Sequence, residues 1–125
     1  MDAFGLGFSI GLVVGSGSFT GHGGQPALRI RLKRRDLDVL ETVRRELGGR
    51  VFGPYAHEGR SSYVYLLRGG ALRGALPILE KHLPSSWRRD QFDAWKAKYT
   101  DYFDRPQPSS ALLDRMERVL SSGNR

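Results

Sequence analysis

Arg29, Arg31 and Lys33 alternate with Leu28, Ile30 and Leu32, and Arg34 and Arg35 follow at once. That parity puts the cations on one face of a strand and the aliphatic side chains on the other. A row of guanidinium and ammonium groups holds phosphate, and the arginine fork can also read base edges. In a later run Tyr63 and Tyr65 alternate with Val64 and Leu66. The expectation is that the two tyrosines share the cationic face, with Thr20, Gln25, His57 and Arg60 as neighbours at strand ends and turns. The plainer reading of the same pattern is a solvated strand face. Covalent and acid–base chemistry has weaker candidates. There is no cysteine, the histidines His22, His57 and His82 are far apart, and no nucleophile–base pair or acid dyad emerges from the spacing.

The charge balance favours the same class of partner. Twenty Lys and Arg against 13 Asp and Glu leave a formal charge of +7 on 125 residues, which suits a polyanion, most often nucleic acid. The lack of cysteine excludes a disulfide framework and a thiolate metal site. Asp2 precedes the first apolar stretch, where a signal peptide would carry basic residues. That stretch, from Ala3 to Gly17, is interrupted by Ser9 and Ser16 and is shorter than the roughly 20 residues a membrane span needs. The expected setting is intracellular, in the cytoplasm or nucleoid, without secretion or membrane insertion.

Several elements must position these groups. The run Phe4 to Val14 is either a helix or a buried strand. On a helix, Gly7, Gly11 and Gly15 would stack into a flat stripe that another helix can approach closely. A strand at Ser18 to Thr20 and a turn over Gly21 to Pro26 lead into the strand Ala27 to Lys33. Asp36 is placed to cap a helix from Leu37 to Leu47, which Gly48-Gly49 ends. Strands Arg50 to His57 and Arg60 to Arg68 flank a turn at Glu58-Gly59. A helix with Leu72, Leu76 and Leu79 inside follows, kinked or divided at Pro77. The segment Trp87 to Phe103 reads as one helix with Trp87, Phe92, Trp95 and Tyr99 in the core. A final short helix from Ser109 or Ser110 to Leu120 would follow the breaker at Arg105 to Pro108. The result is an α+β domain over residues 1–105, with four antiparallel strands and helices on one face, and a tail over residues 106–125.

Gly15-Ser16-Gly17 invites comparison with a phosphate loop. A dinucleotide fingerprint should open a helix, and a Walker loop ends in Gly-Lys-Ser or Gly-Lys-Thr. Here Ser18-Phe19-Thr20 and a glycine-rich turn follow, so neither motif is complete.

The order of elements, with Phe8-Ser-Ile-Gly-Leu-Val-Val-Gly-Ser-Gly-Ser-Phe19, Pro26-Ala-Leu-Arg-Ile-Arg-Leu32, Arg35-Asp-Leu-Asp-Val-Leu-Glu41, Leu47-Gly-Gly49 and Arg88-Arg-Asp-Gln-Phe-Asp-Ala-Trp-Lys96, resembles the LAGLIDADG homing endonuclease family. The likeness runs over roughly residues 4–100. It implies an αββαββα unit, the fold of enzymes of intron and intein mobility. With one signature per chain, it also implies a homodimer, or a pair with a related unit, on a near-palindromic double-stranded DNA site. Gly7, Gly11 and Gly15 would then be the dimer seam.

In active members an acid just before the last signature glycine helps bind Mg²⁺, which activates water for phosphodiester hydrolysis. Ser16 holds that position here, and Val14 the place of an earlier acid. Arg88 best matches the family's basic residue near the scissile phosphate. The expectation is therefore DNA binding with cleavage lost or strongly weakened, and no metal held at Ser16. The alternatives are an active metal-dependent endonuclease seen as a catalytic-site variant, whether natural or engineered, and a non-catalytic regulator or RNA-maturase-like binder.

Overall fold

The computed structural model of the chain describes residues 2–105. Helix α1 (Ala3–Ser16) leads into strands β1 (Gly17–His22) and β2 (Gln25–Lys33); a single 3₁₀ turn at Arg34–Asp36 then opens α2 (Leu37–Leu47). Strands β3 (Arg50–His57) and β4 (Arg60–Arg68) precede α3 (Gly69–His82), α4 (Trp87–Lys98) and a short α5 (Thr100–Asp104). The four strands form one antiparallel sheet in the order β1-β2-β4-β3. The expected α+β architecture is therefore present. The tail helix expected between Ser109 and Leu120 lies outside the described residues.

Phe4 to Val14 is helical. Asp2 accepts hydrogen bonds from the Phe4 and Gly5 amides at 3.2 Å each, and the Gly17 amide closes the far end on the Val13 carbonyl. These contacts satisfy helix-end groups that would otherwise be unpaired. The buried face of α1 is Gly5, Ser9, Ile10 and Val13.

The core lies between the helices and one face of the sheet. Leu28 and Ile30 of β2 and Tyr65 and Leu67 of β4 pack with Leu40, Val43, Leu72, Leu79 and Phe92 from the helices. Phe19 of β1 meets Phe92 and Trp95 with ring centroids 5.2 and 4.9 Å apart, and the Trp95 indole donates to the Thr20 carbonyl at 2.7 Å. These contacts tie α4 to the strand leaving α1.

Four expectations need correction. Asp36 holds the N-cap position of α2 without a side-chain hydrogen bond; the 3₁₀ turn makes the entry instead. The segment Trp87 to Phe103 divides at Tyr99, whose backbone (φ −107, ψ 27) leaves the helical region. Trp87 is not in the core. It is 70% exposed at the first residue of α4, directly after the N-cap Ser86, while its neighbours Arg88 and Arg89 turn inward onto the Val14 and Glu80 carbonyls. Pro77 sits inside α3, which runs unbroken from Gly69 to His82.

Candidate nucleic-acid interface

The register of the sheet fixes what its open face carries. Arg29 lies opposite Ser18 on β1 and Leu66 on β4, and Leu66 opposite Arg50 on β3. One step along, Arg31, Val64 and Phe52 form the next row, and Lys33, Ser62 and Tyr55 the row beyond. In the other direction Thr20, Ala27 and Arg68 align. Directly opposed residues in a sheet share a face, so all these side chains point away from the helices.

The cations of this face are Arg29, Arg31, Lys33, Arg50, Arg60 and Arg68, which are all the Lys and Arg residues of the four strands. No strand contains Asp or Glu, and among the described residues none of these cations is in an ion pair. A single-sign field on a concave surface attracts a polyanion and raises its encounter rate. The concavity is a groove of about 770 Å³ lined in part by Thr20, Gln25, Arg29, Arg31, Phe52 and Arg68. His57 and Arg60 face each other at the exposed tip of the β3–β4 hairpin, on the same side of the sheet.

Tyr63 and Tyr65 belong to the opposite face, and this corrects the expectation that they lie among the cations. They pair with Leu32 and Ile30 on the helix side of the sheet. Tyr65 is fully buried, and its hydroxyl donates to the Gly48 carbonyl at 2.6 Å. Burial pushes its phenol well above the ordinary tyrosine value. A buried tyrosine is tolerable because that oxygen has a partner. The turn is shaped to admit the ring. Gly49 has φ +93, and a Cβ there would lie 3.0 Å from the ring and 2.8 Å from the Leu66 carbonyl.

With the tyrosines inside, Val64 and Leu66 turn outward, and the aromatic side chains among the cations are Phe52 and Tyr55. Arg50, Arg68, Phe52 and Tyr55 are residues that the sequence reading missed. One signal was available: Arg60, Ser62, Val64, Leu66 and Arg68 share a parity bounded by arginines. In β3 parity alone misleads, because the register shifts between Phe52 and Tyr55. Gly53 takes φ +132 within that shift, where a Cβ would lie 3.0 Å from the Ser62 carbonyl.

The second feature is the free face of α1. Among the described residues a Cβ at Gly7, Gly11 or Gly15 would meet nothing within 4 Å, and Phe4 and Phe8 are 80% and 43% exposed beside them. Ser16 is exposed at the end of this helix. Arg88, in the first turn of α4, donates from Nε to the Val14 carbonyl at 3.2 Å and from Nη1 to the Gln91 side chain at 2.8 Å. The same Gln91 oxygen accepts from the Phe19 amide at 3.4 Å. The Arg88 guanidinium also lies 4.9 Å from the centre of the Trp87 ring. A cation thus caps the negative end of α1, a favourable placement against the helix dipole.

Mg²⁺ prefers anionic oxygen ligands. The end of α1 presents a neutral hydroxyl at Ser16 and a carbonyl at Val14 that already accepts from a guanidinium. Among the described residues no group of three or more His, Asp or Glu stands close enough to hold a metal. The donor set at this position does not fit a resident divalent cation.

No family model matches the chain, and no curated protein does. Solved structures do. The crystal structure of the homing endonuclease I-TnaI superposes with a TM-score of 0.60 at 23% identity, over 74% of this chain and 69% of that one. The archaeal intron-encoded homing endonuclease I-Vdi141I, solved in complex with DNA, gives 0.55 at 24% identity, over 75% of this chain and 65% of that one. The chain has the homing-endonuclease fold. Among the described residues, no helix is long and apolar enough to cross a membrane.

Proposed function

We propose that this chain binds double-stranded DNA sequence-specifically through the open face of its sheet, as a dimer, and does not cut it appreciably. The carrying observation is the face itself, where every strand cation collects and no strand carboxylate intrudes. Phosphate contacts from its rim would supply affinity, and the side chains along the groove would supply sequence readout. A neighbour of the same fold solved with DNA supports this use of the fold.

The glycine stripe of α1 supports the dimer. Its flat face lets two backbones approach closely, and Phe4 and Phe8 provide apolar surface that is otherwise exposed to water. Two copies related by a two-fold axis along α1 present two grooves to a near-palindromic duplex. A related unit in place of the second copy would use the same seam.

The absence of a carboxylate at Ser16, with Arg88 on the adjacent carbonyl, supports binding without cleavage. Titration of the chain with duplexes selected from a randomised pool, at several salt concentrations, tests the reading. Tight binding that weakens linearly with the logarithm of salt is expected. Preference for structured RNA would favour the maturase-like alternative. Chelator-sensitive cutting would favour the endonuclease.

A further inference from the structure

At the centre of the cationic face lies an apolar patch. Leu66 stands between Arg29 and Arg50, and Phe52 beside Val64, which forms the floor. Leu66 and Phe52 are only half-buried, so both present carbon surface to whatever enters the groove. Resting on the duplex-DNA reading above, we propose that Leu66 and Phe52 read the 5-methyl group of thymine in the major groove.

The edges that base pairs present in the major groove are hydrogen-bond donors and acceptors, with one exception, the thymine methyl. A side chain without polar atoms, pressed against any other base edge, would strip that edge of water and offer nothing in return. The flanking arginines are donors only and suit the acceptors of guanine. No strand carboxylate is present to accept from the cytosine amine. The charged and apolar side chains of this face are therefore equipped for guanine and thymine, with Gln25 as its one side-chain amide for adenine and the hydroxyls of Thr20, Ser62 and Tyr55 able to serve any base.

The spacing agrees. Alternate residues on a strand lie about 6.7 Å apart, close to two base-pair steps. Leu66 and the row of Val64 and Phe52 thus fall in step with positions two base pairs apart, and the groove admits a two-stranded ribbon.

The first arm of the test changes the DNA and leaves the protein alone, and the second changes the two side chains. A duplex selected by the full chain from a randomised pool is resynthesised with uracil for thymine, which keeps pairing and removes only the methyl groups. Affinity should fall roughly fourfold for each contacted methyl, the worth of burying one carbon. Leu66→Ala should lose affinity for the thymine duplex and discriminate less between the two duplexes; Phe52→Ala should do so at a different position. Equal affinity of the unaltered chain for both duplexes overturns the proposal while the DNA-binding reading stands. Undiminished discrimination by both variants overturns the assignment to these residues. Failure of any duplex to be enriched overturns the duplex reading itself, and this proposal with it.

Discussion

The Tyr65 hydroxyl donates to the Gly48 carbonyl at 2.6 Å on the helix side of the sheet. This contact, between β4 and the turn that ends α2, accompanies the seating of Tyr65 in the core and the outward turn of Leu66. Tyr65→Phe should keep the ring and leave the Gly48 oxygen without its partner, costing about 1–2 kcal/mol. Urea denaturation of the two proteins at neutral pH measures this, and an unchanged midpoint would show that the bond contributes nothing.

The same tyrosine should make the fold sensitive to alkali. Its folded value is raised by burial, whereas an unfolded tyrosine gives up its proton near pH 10. Above about that pH the unfolded chain binds fewer protons than the folded one, so stability falls as pH rises. Its contribution is complete below about pH 10 and is lost above it. In denaturation series from about pH 8 to about pH 11, Tyr65→Phe should lose less stability than the unaltered chain.

How far the sequence was legible depended on whether the deciding contact was local. In β2, aliphatic and cationic residues alternate, so the strand declares its own faces. In the middle of β4, from Tyr63 to Leu67, both parities are apolar or aromatic, and the inward ring is accompanied by a carbonyl 17 residues away and a glycine that leaves room for it. The preference for tyrosines on a nucleic-acid face therefore led to the wrong side. The glycine spacing of α1 was compatible with two backbone states, and the Asp2 cap and the packing of Ile10 and Val13 accompany the helical one. Trp87 has core-like chemistry, yet at the first residue of α4 it is exposed while Arg88 and Arg89 beside it turn inward.

The groove face can be separated from the core face by substitution. Arg29→Ala should weaken cognate duplex binding by about 1–3 kcal/mol and relax the preference at one symmetric pair of positions, if the fork reads guanine. Arg68→Ala, at the rim, should weaken all duplexes alike and lower the salt slope by about one. Gel-shift titrations against cognate and scrambled duplexes distinguish these patterns. Equal binding by both variants and the unaltered chain would place the DNA elsewhere.

The seam can be tested without disturbing the monomer. Among the described residues a Cβ at Gly11 would meet nothing within 4 Å, so Gly11→Leu should leave the folding of the single chain intact, as read by circular dichroism. Across a close helix pair the added branch would clash, and sedimentation should shift from dimer to monomer. A dimer that persists unchanged would remove α1 from the interface.

A substitution at the end of α1 addresses the chemistry. Ser16→Glu supplies an anionic ligand of the kind a divalent cation prefers. This variant should bind Mn²⁺ more tightly than the unaltered chain, as read by isothermal titration. Equal affinity would show that Arg88 and the local donor set, beyond the missing carboxylate, exclude the metal.

The most direct measurement incubates the full chain with a selected duplex and Mg²⁺, then resolves bound from free DNA and, after deproteination, intact from cut DNA. The account predicts a retarded complex whose duplex is recovered intact. A duplex that is never retarded, or one that is cut and protected by chelation, would contradict it.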